Sequence, residues 1–156
     1  MAIAIHLKTF LDTHHLDYEA IRHRRAESAQ RKAAAADRPG ARVAKAVLLK
    51  DDQGYLLAVL PASHRLHLGQ LHRELDRRVG LATEEEATAL FDDCRPGAVP
   101  PTGLLYDVDT LVEDALLEQP EVYFEAGDHE HLIHMDREAF GKLLGDATHG
   151  HFSHRL

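Results

Sequence analysis

One cysteine, Cys94, is all that the 156 residues contain, so no internal disulfide can form and no thiolate cluster can build a zinc site. Its expected role is that of an ordinary small side chain near a loop, not a nucleophile. No run approaches the roughly 20 apolar residues needed to cross a bilayer. The opening MAIAIHLKTF also lacks the charged, apolar and cleavage regions of a secretory signal. A soluble cytoplasmic protein with no membrane partner is therefore expected. Repeats, low-complexity tracts and domain-separating linkers are missing too. A chain of this length with 44% apolar residues is read as one domain, residues 1–156, with a single core.

The charge balance is uneven. The formal net charge of −8 argues against a nucleic-acid partner until the halves are separated: residues 1–80 carry +5 and residues 81–156 carry −13. Such asymmetry predicts a basic face and an acidic face. IRHRR (Ile21 to Arg25), Arg31, Lys32, Arg38, Arg42 and RELDRR (Arg73 to Arg78) could meet phosphates if the fold gathers them, or remain solvated helix faces.

Hydrophobic spacing supplies the elements. Ile3, Leu7, Phe10 and Leu11 mark an amphipathic first helix, and LDYEAIRHR then alternates as a strand with Leu16, Tyr18 and Ala20 as one set. Ser28 can cap the alanine-rich AQRKAAAAD, which RPG (Arg38 to Gly40) ends. AKAVLLK and YLLAVLP flank DDQG, a hairpin turn in which Gly54 readily takes a positive φ. LGQLHRELD places Leu68, Leu71 and Leu75 on one helical face. TEEEATALF follows as a helix with Thr83 and Glu86 spaced as a capping box. CRPGAVPPTG, Cys94 to Gly103, is a rigid loop that exposes backbone groups and would, taken alone, be only a connector. TLVEDALLEQ, EVYFEAG and HEHLIHM supply strands, the last two around an AGDH turn, and DREAFGKLL closes the chain as a helix capped by Asp136. This order predicts an α+β fold with a largely antiparallel sheet.

Lys45 breaks the apolar pattern of the hairpin. It shares a strand face with Val47 and Leu49, a good candidate for the core side, although Ala44, Ala46 and Leu48 leave the other face apolar as well. Lys45 either sits at the mouth of the core with a partner or a task, or snorkels to water from a strand end.

These segments carry a resemblance. A lysine on the first strand of a central hairpin (VAKAVLL), a Gly/Pro loop (PGAVPPTG) and EVYFEAGDHEHLIHM before a closing helix resemble the YbaK and prolyl-tRNA synthetase editing-domain superfamily of aminoacyl-tRNA deacylases. The resemblance implies a curved, barrel-like, mixed and mostly antiparallel sheet flanked by helices. It also implies hydrolysis of the ester of a mischarged tRNA in trans, with mischarged tRNA and a synthetase as partners and no cofactor. The family's strand lysine maps onto Lys45. Its glycine-x-x-proline loop maps onto GAVPP (Gly97, Ala98, Val99, Pro100, Pro101), either as Gly97 with Pro100 or in a register with Pro101 that puts Ala98 where the family often has glycine. Gly127 resembles the glycine of the family's late strand turn. A non-catalytic module of the same fold that binds aminoacyl-tRNA or a synthetase is the alternative.

The chemistry is consistent with that implication. An aminoacyl ester is already activated, so a deacylase needs little beyond orientation, oxyanion donors and a positioned water. Lys45 could contact the terminal adenosine phosphate or the ester carbonyl, with backbone N–H groups of Gly97 to Thr102 as further donors. The resemblance adds assistance from the tRNA's own ribose hydroxyl. His64 stands just past the hairpin, at a candidate pocket rim with no orienting carboxylate evident, and Ser63 beside it reads as a helix cap. Tyr18 is a further candidate contact, with a core position as its alternative. His129, His131 and His134, and His149, His151 and His154, invite a metal reading. On a strand, however, His134 points away from the other two of its group, so no metal is expected.

If the basic half meets tRNA, reversing the charge of Arg22, Arg24 and Arg25 together should weaken tRNA binding. It should also lower the slope of log affinity against log salt by about 2 to 3. Filter binding across a salt series measures both, and an unchanged slope would remove this patch from the interface.

Overall fold

A computed structural model describes residues 3–23 and 39–156. The alanine-rich helix predicted after Ser28, and Arg24, Arg25, Arg31, Lys32 and Arg38 of the basic half, lie outside the described residues. Helix α1 (Ile5–Thr13) leads into β1 (Glu19–Arg22). After residue 39 come β2 (Val43–Asp51), β3 (Gly54–Pro61) and β4 (His64–Leu66). Helix α2 (Leu68–Leu75), β5 (Gly80–Leu81) and α3 (Glu84–Leu90) follow. The remainder is β6 (Asp109–Glu113), α4 (Asp114–Leu117), β7 (Glu121–Glu125), β8 (His131–Asp136), α5 (Arg137–Leu144), β9 (Thr148–Gly150) and β10 (Ser153–Arg155).

The architecture is the α+β one expected, with a mixed sheet ordered β1-β8-β7-β2-β3-β6-β9, β5 on the flank of β2 and a separate β10-β4 pair. Antiparallel pairing joins β1 to β8, β8 to β7 and β2 to β3, while β2–β7, β3–β6 and β6–β9 are parallel. The sheet is open rather than closed into a barrel, because its path ends on β1 and β9.

Local chemistry accounts for the helix starts. Thr83 Oγ1 accepts from the Glu86 amide at 3.1 Å and Glu86 Oε1 accepts from the Thr83 amide at 3.0 Å, the reciprocal capping box that the spacing predicts. Asp136 Oδ1 likewise accepts from the Ala139 amide at 2.8 Å. Ser63, by contrast, does not cap α2: the cap is His67, whose Nδ1 accepts from the Gln70 amide. Ser63 sits in the turn between β3 and β4, because three strand residues intervene before the helix begins. TLVEDALLEQ is also not one strand. It changes to α4 at Asp114, where the Glu113 carboxylate accepts from the Ala115 amide and Leu116 is buried.

The hairpin is buried on both faces, so its apolar residues divide between clusters instead of forming a single core. Ala44 and Leu48 join Leu57, Val59, Leu7, Leu11, Phe91, Phe124 and Phe140 in the larger cluster. Leu49 joins Leu56, Ala58, Leu71 and Phe152 in a smaller one, with Val47 packed against it. The face that carries Lys45 is thus the lesser core side. Helices α1 and α5 both cover the other face, which is why the larger cluster forms there.

The Gly/Pro loop ends in a tight joint. A Cβ on Gly103 would stand 2.1 Å from the Val108 carbonyl oxygen and 2.8 Å from Thr110 Oγ1, which already accepts from the Gly103 amide. Gly103→Ala should cost about 1 to 3 kcal/mol by forcing backbone apart. Urea unfolding checks this, and a variant as stable as the parent would mean the joint yields without cost.

Candidate functional site

The parallel ladder between β2 and β7 runs for two pairs, Val43 with Tyr123 and Ala44 with Phe124. Past that point the strands separate. The next residue of each, Lys45 and Glu125, lines a cavity of about 250 Å³ whose other walls are apolar, including Ala46, Leu48, Leu57, Phe91 and Val99. Gly97 completes the wall from the Gly/Pro loop.

Lys45 is half-buried, and its Nζ donates to the backbone carbonyl of His64 at 2.5 Å. Burial lowers its pKa from the ordinary 10.5. The anchor is a neutral carbonyl rather than a carboxylate, so the positive charge is held but not neutralised there. Glu125 is paired differently, with its Oε2 3.3 Å from Nε2 of His23, and both residues are buried. Lys45 and Glu125 therefore both contribute to the lining of one apolar space, while the Glu125 carboxylate itself is buried against His23.

The loop wall is a built turn. The Ala98 amide donates to the Arg95 carbonyl at 3.0 Å, with Pro96 second and Gly97 third at φ +81°, the signature of a type II turn. Only glycine takes that third position without strain. Behind the turn, Nε2 of His129 bonds the Pro96 carbonyl, and the Arg95 amide donates to the Gly127 carbonyl at 2.9 Å. Gly127, at φ +107°, lies so close to Ala4 that a Cβ would approach within 2.9 Å. The AGDH turn thus braces the loop from below.

The sequence-based candidates divide accordingly. Lys45, Gly97 and Val99 line the cavity together. Ala98, Pro100 and Pro101 are buried in the loop and outside that lining. Gly127 lies beneath the loop, and Tyr18 packs half-buried against the larger cluster. His64 is buried and reaches the site through its carbonyl oxygen. Spacing along the sequence does not single out Glu125 or Phe91, and it marks His129 only as a candidate metal ligand, not as the support of the Gly97 turn. Glu125 has one signal, a charge ending an apolar strand, but its place beside Lys45 in the cavity lining depends on a parallel register that no local pattern encodes.

The histidine-rich segments are dispersed among carboxylates. His131 pairs with Asp128 at 2.6 Å, His134 with Glu19 at 2.6 Å, His149 with Asp114 at 2.8 Å and His151 with Glu113 at 3.2 Å. Strand β8 begins at His131, so His129 belongs to the turn and not to the strand. Among the described residues, the group with ligand atoms close enough to share a metal is His6, Asp92 and Asp93, outside both segments. Cys94 packs with Sγ 3.5 Å from the Tyr106 hydroxyl, and burial pushes its thiol up to about 12.

A family model described as an aminoacyl-tRNA editing domain matches residues 23–143. Among solved structures, the chain is similar to a candidate trans-editing enzyme for prolyl tRNA synthetase, with 22% identity, TM-score 0.82, and coverage of 97% of this chain and 96% of that one. A hypothetical protein is similar at 20% identity and TM-score 0.83, covering 96% and 99% of the two chains. A candidate signal transduction protein from Marinobacter aquaeolei VT8 aligns at 21% identity and TM-score 0.77 over 96% of this chain and 30% of that one. At these identities the likeness is one of fold. No curated protein matches the sequence.

The elevated Cys94 pKa makes a direct chemical test. At pH 8 its reaction with a disulfide reagent should be more than about a hundredfold slower than that of a free cysteine, because almost no thiolate is present. A rate equal to the free thiol's would show that Cys94 is not buried as described.

Proposed function

The chain belongs to the aminoacyl-tRNA editing domain family, and we propose that it is a freestanding deacylase that hydrolyses the ester of mischarged aminoacyl-tRNA. The observation that carries this reading is Lys45, which lines an apolar cavity beside the Gly97 turn and whose ammonium is held, among the described residues, by the His64 carbonyl and not by a carboxylate. A cation kept in this way retains its attraction for an incoming anionic or carbonyl oxygen. Desolvating it costs stability, and the substrate offsets that cost only on binding.

In this reading the aminoacyl group enters the cavity and the nucleotide stays outside. Lys45 contacts the terminal adenosine phosphate or the ester carbonyl, orienting the bond for attack by water. The loop has few donors to contribute, since the Ala98 amide closes the turn and Pro100 and Pro101 have none. Val99, which lines the cavity, is the loop amide assigned to the developing oxyanion. The ribose hydroxyl of the tRNA assists the water, so the protein acts chiefly by positioning. The likeness to a candidate trans-editing enzyme for prolyl tRNA synthetase makes mischarged proline tRNA the first substrate to test, with a synthetase as a possible companion. The protein acts in the cytoplasm on this reading.

Lys45→Ala should remain folded while deacylation falls about 30-fold or more, the loss of a charged contact made in the transition state. A deacylation screen across mischarged tRNAs, with unfolding measured in parallel, checks both halves. Wild-type activity in the variant would refute the role of Lys45. A parent that binds tRNA but clears no member of the panel would make the protein a binding module.

A further inference from the structure

The strand that closes the chain, β10, lies beyond the residues that match the family, yet it is wired to the anchor of Lys45. It pairs antiparallel with β4, Ser153 opposite Leu66 and Arg155 opposite His64, and the Leu156 amide donates to the Ser63 carbonyl at 3.0 Å. The residues on either side of the His64 amide are thereby held by the C-terminal segment.

A buried carboxylate fixes the side chains of this joint. Glu113, at 0% exposure, accepts at Oε1 from the Ser153 hydroxyl at 2.7 Å, the Ser153 amide at 2.9 Å and the Phe152 amide at 3.0 Å. Burial pushes its pKa up, and these donors, the Ser153 hydroxyl foremost, outweigh that and hold it below the ordinary 4.5. Glu113 is therefore ionised at neutral pH and can only accept.

The hydroxyl of Ser153 has one proton, and it goes to Glu113. Its contact with Nδ1 of His64 at 2.8 Å must then be one in which the imidazole donates. That sets the ring's orientation and its tautomer. Burial keeps the ring neutral by lowering its pKa, against the attraction of Glu113. The carbonyl of this same residue accepts from Lys45.

We propose that Glu113 and Ser153 are positioning residues for Lys45, acting through His64 to hold the carbonyl that anchors the ammonium at the cavity. The C-terminal strand is then part of the deacylation apparatus and not merely a cover for β4. The catalytic side of this statement rests on the deacylase reading above. The anchoring is measurable without it.

The test uses the full chain with ¹³C-labelled lysine, following Lys45 by NMR across a pH titration without tRNA and measuring deacylation separately. Ser153→Ala should shift the Lys45 midpoint toward the ordinary 10.5, as the ammonium swings into water. It should also lower kcat about tenfold, the factor that one net hydrogen bond is worth, with KM little changed. Ser153→Thr, which keeps the hydroxyl, should retain both parent values. His64→Ala cuts the same tether from its other end and should reproduce the Ser153→Ala effect, with no further loss when the two are combined. A folded Ser153→Ala protein with the parent's Lys45 midpoint and kcat would overturn the proposal, as would fully additive losses in the double variant. A shifted midpoint in a protein whose parent clears no mischarged tRNA would uphold the anchoring and overturn the deacylase reading.

Discussion

A parallel ladder only two pairs long is the constraint on which the site depends. Strand β2 is committed to β3 over eight antiparallel pairs, and β7 to β8 over five. Each hairpin follows its own right-handed twist, and the two touch in register only at Val43–Tyr123 and Ala44–Phe124. Divergence beyond that point leaves a gap that the walls do not fill. The cavity is thus a consequence of joining two hairpins by a short seam, and the residues just past the seam become its border.

The polar groups at that border are held by neighbours outside the gap. Lys45 reaches back to the His64 carbonyl, and Glu125 pairs with His23. A direct ion pair between them would bring both charges to rest and leave little attraction for a ligand. Separate anchors keep the two charged side chains apart, the Glu125 carboxylate buried against His23 and the Lys45 ammonium on the His64 carbonyl. The Gly97 turn supplies the opposite wall, and its shape depends in turn on His129 and on the close packing of Gly127 against Ala4.

How much of this was legible can be followed residue by residue. The Thr83–Glu86 capping box, the Asp136 cap and the Gly54 turn involve groups within four residues of one another, so spacing suffices to read them. Lys45 stood out because an ammonium interrupts an apolar strand. The Gly/Pro loop was visible as a loop, but not which of its residues face the cavity. Ala98 and the two prolines are buried while Gly97 and Val99 line the cavity, a division that only the folded loop decides. Ser63 reads as a cap in the sequence, but the chain forms three more strand residues, β4, before α2 begins.

The sequence by itself determined the local elements and the conspicuous lysine, since helix caps, hairpin turns and alternating faces arise from interactions between near neighbours. Only the tertiary structure decided what Lys45 faces and what holds it. Its anchor comes from residue 64, the support of that anchor from Glu113 and Ser153, and its neighbour in the cavity lining from Glu125 on β7. Those partners meet through strand order and register, which are fixed by packing both faces of a shared sheet at once. No window of sequence contains that information.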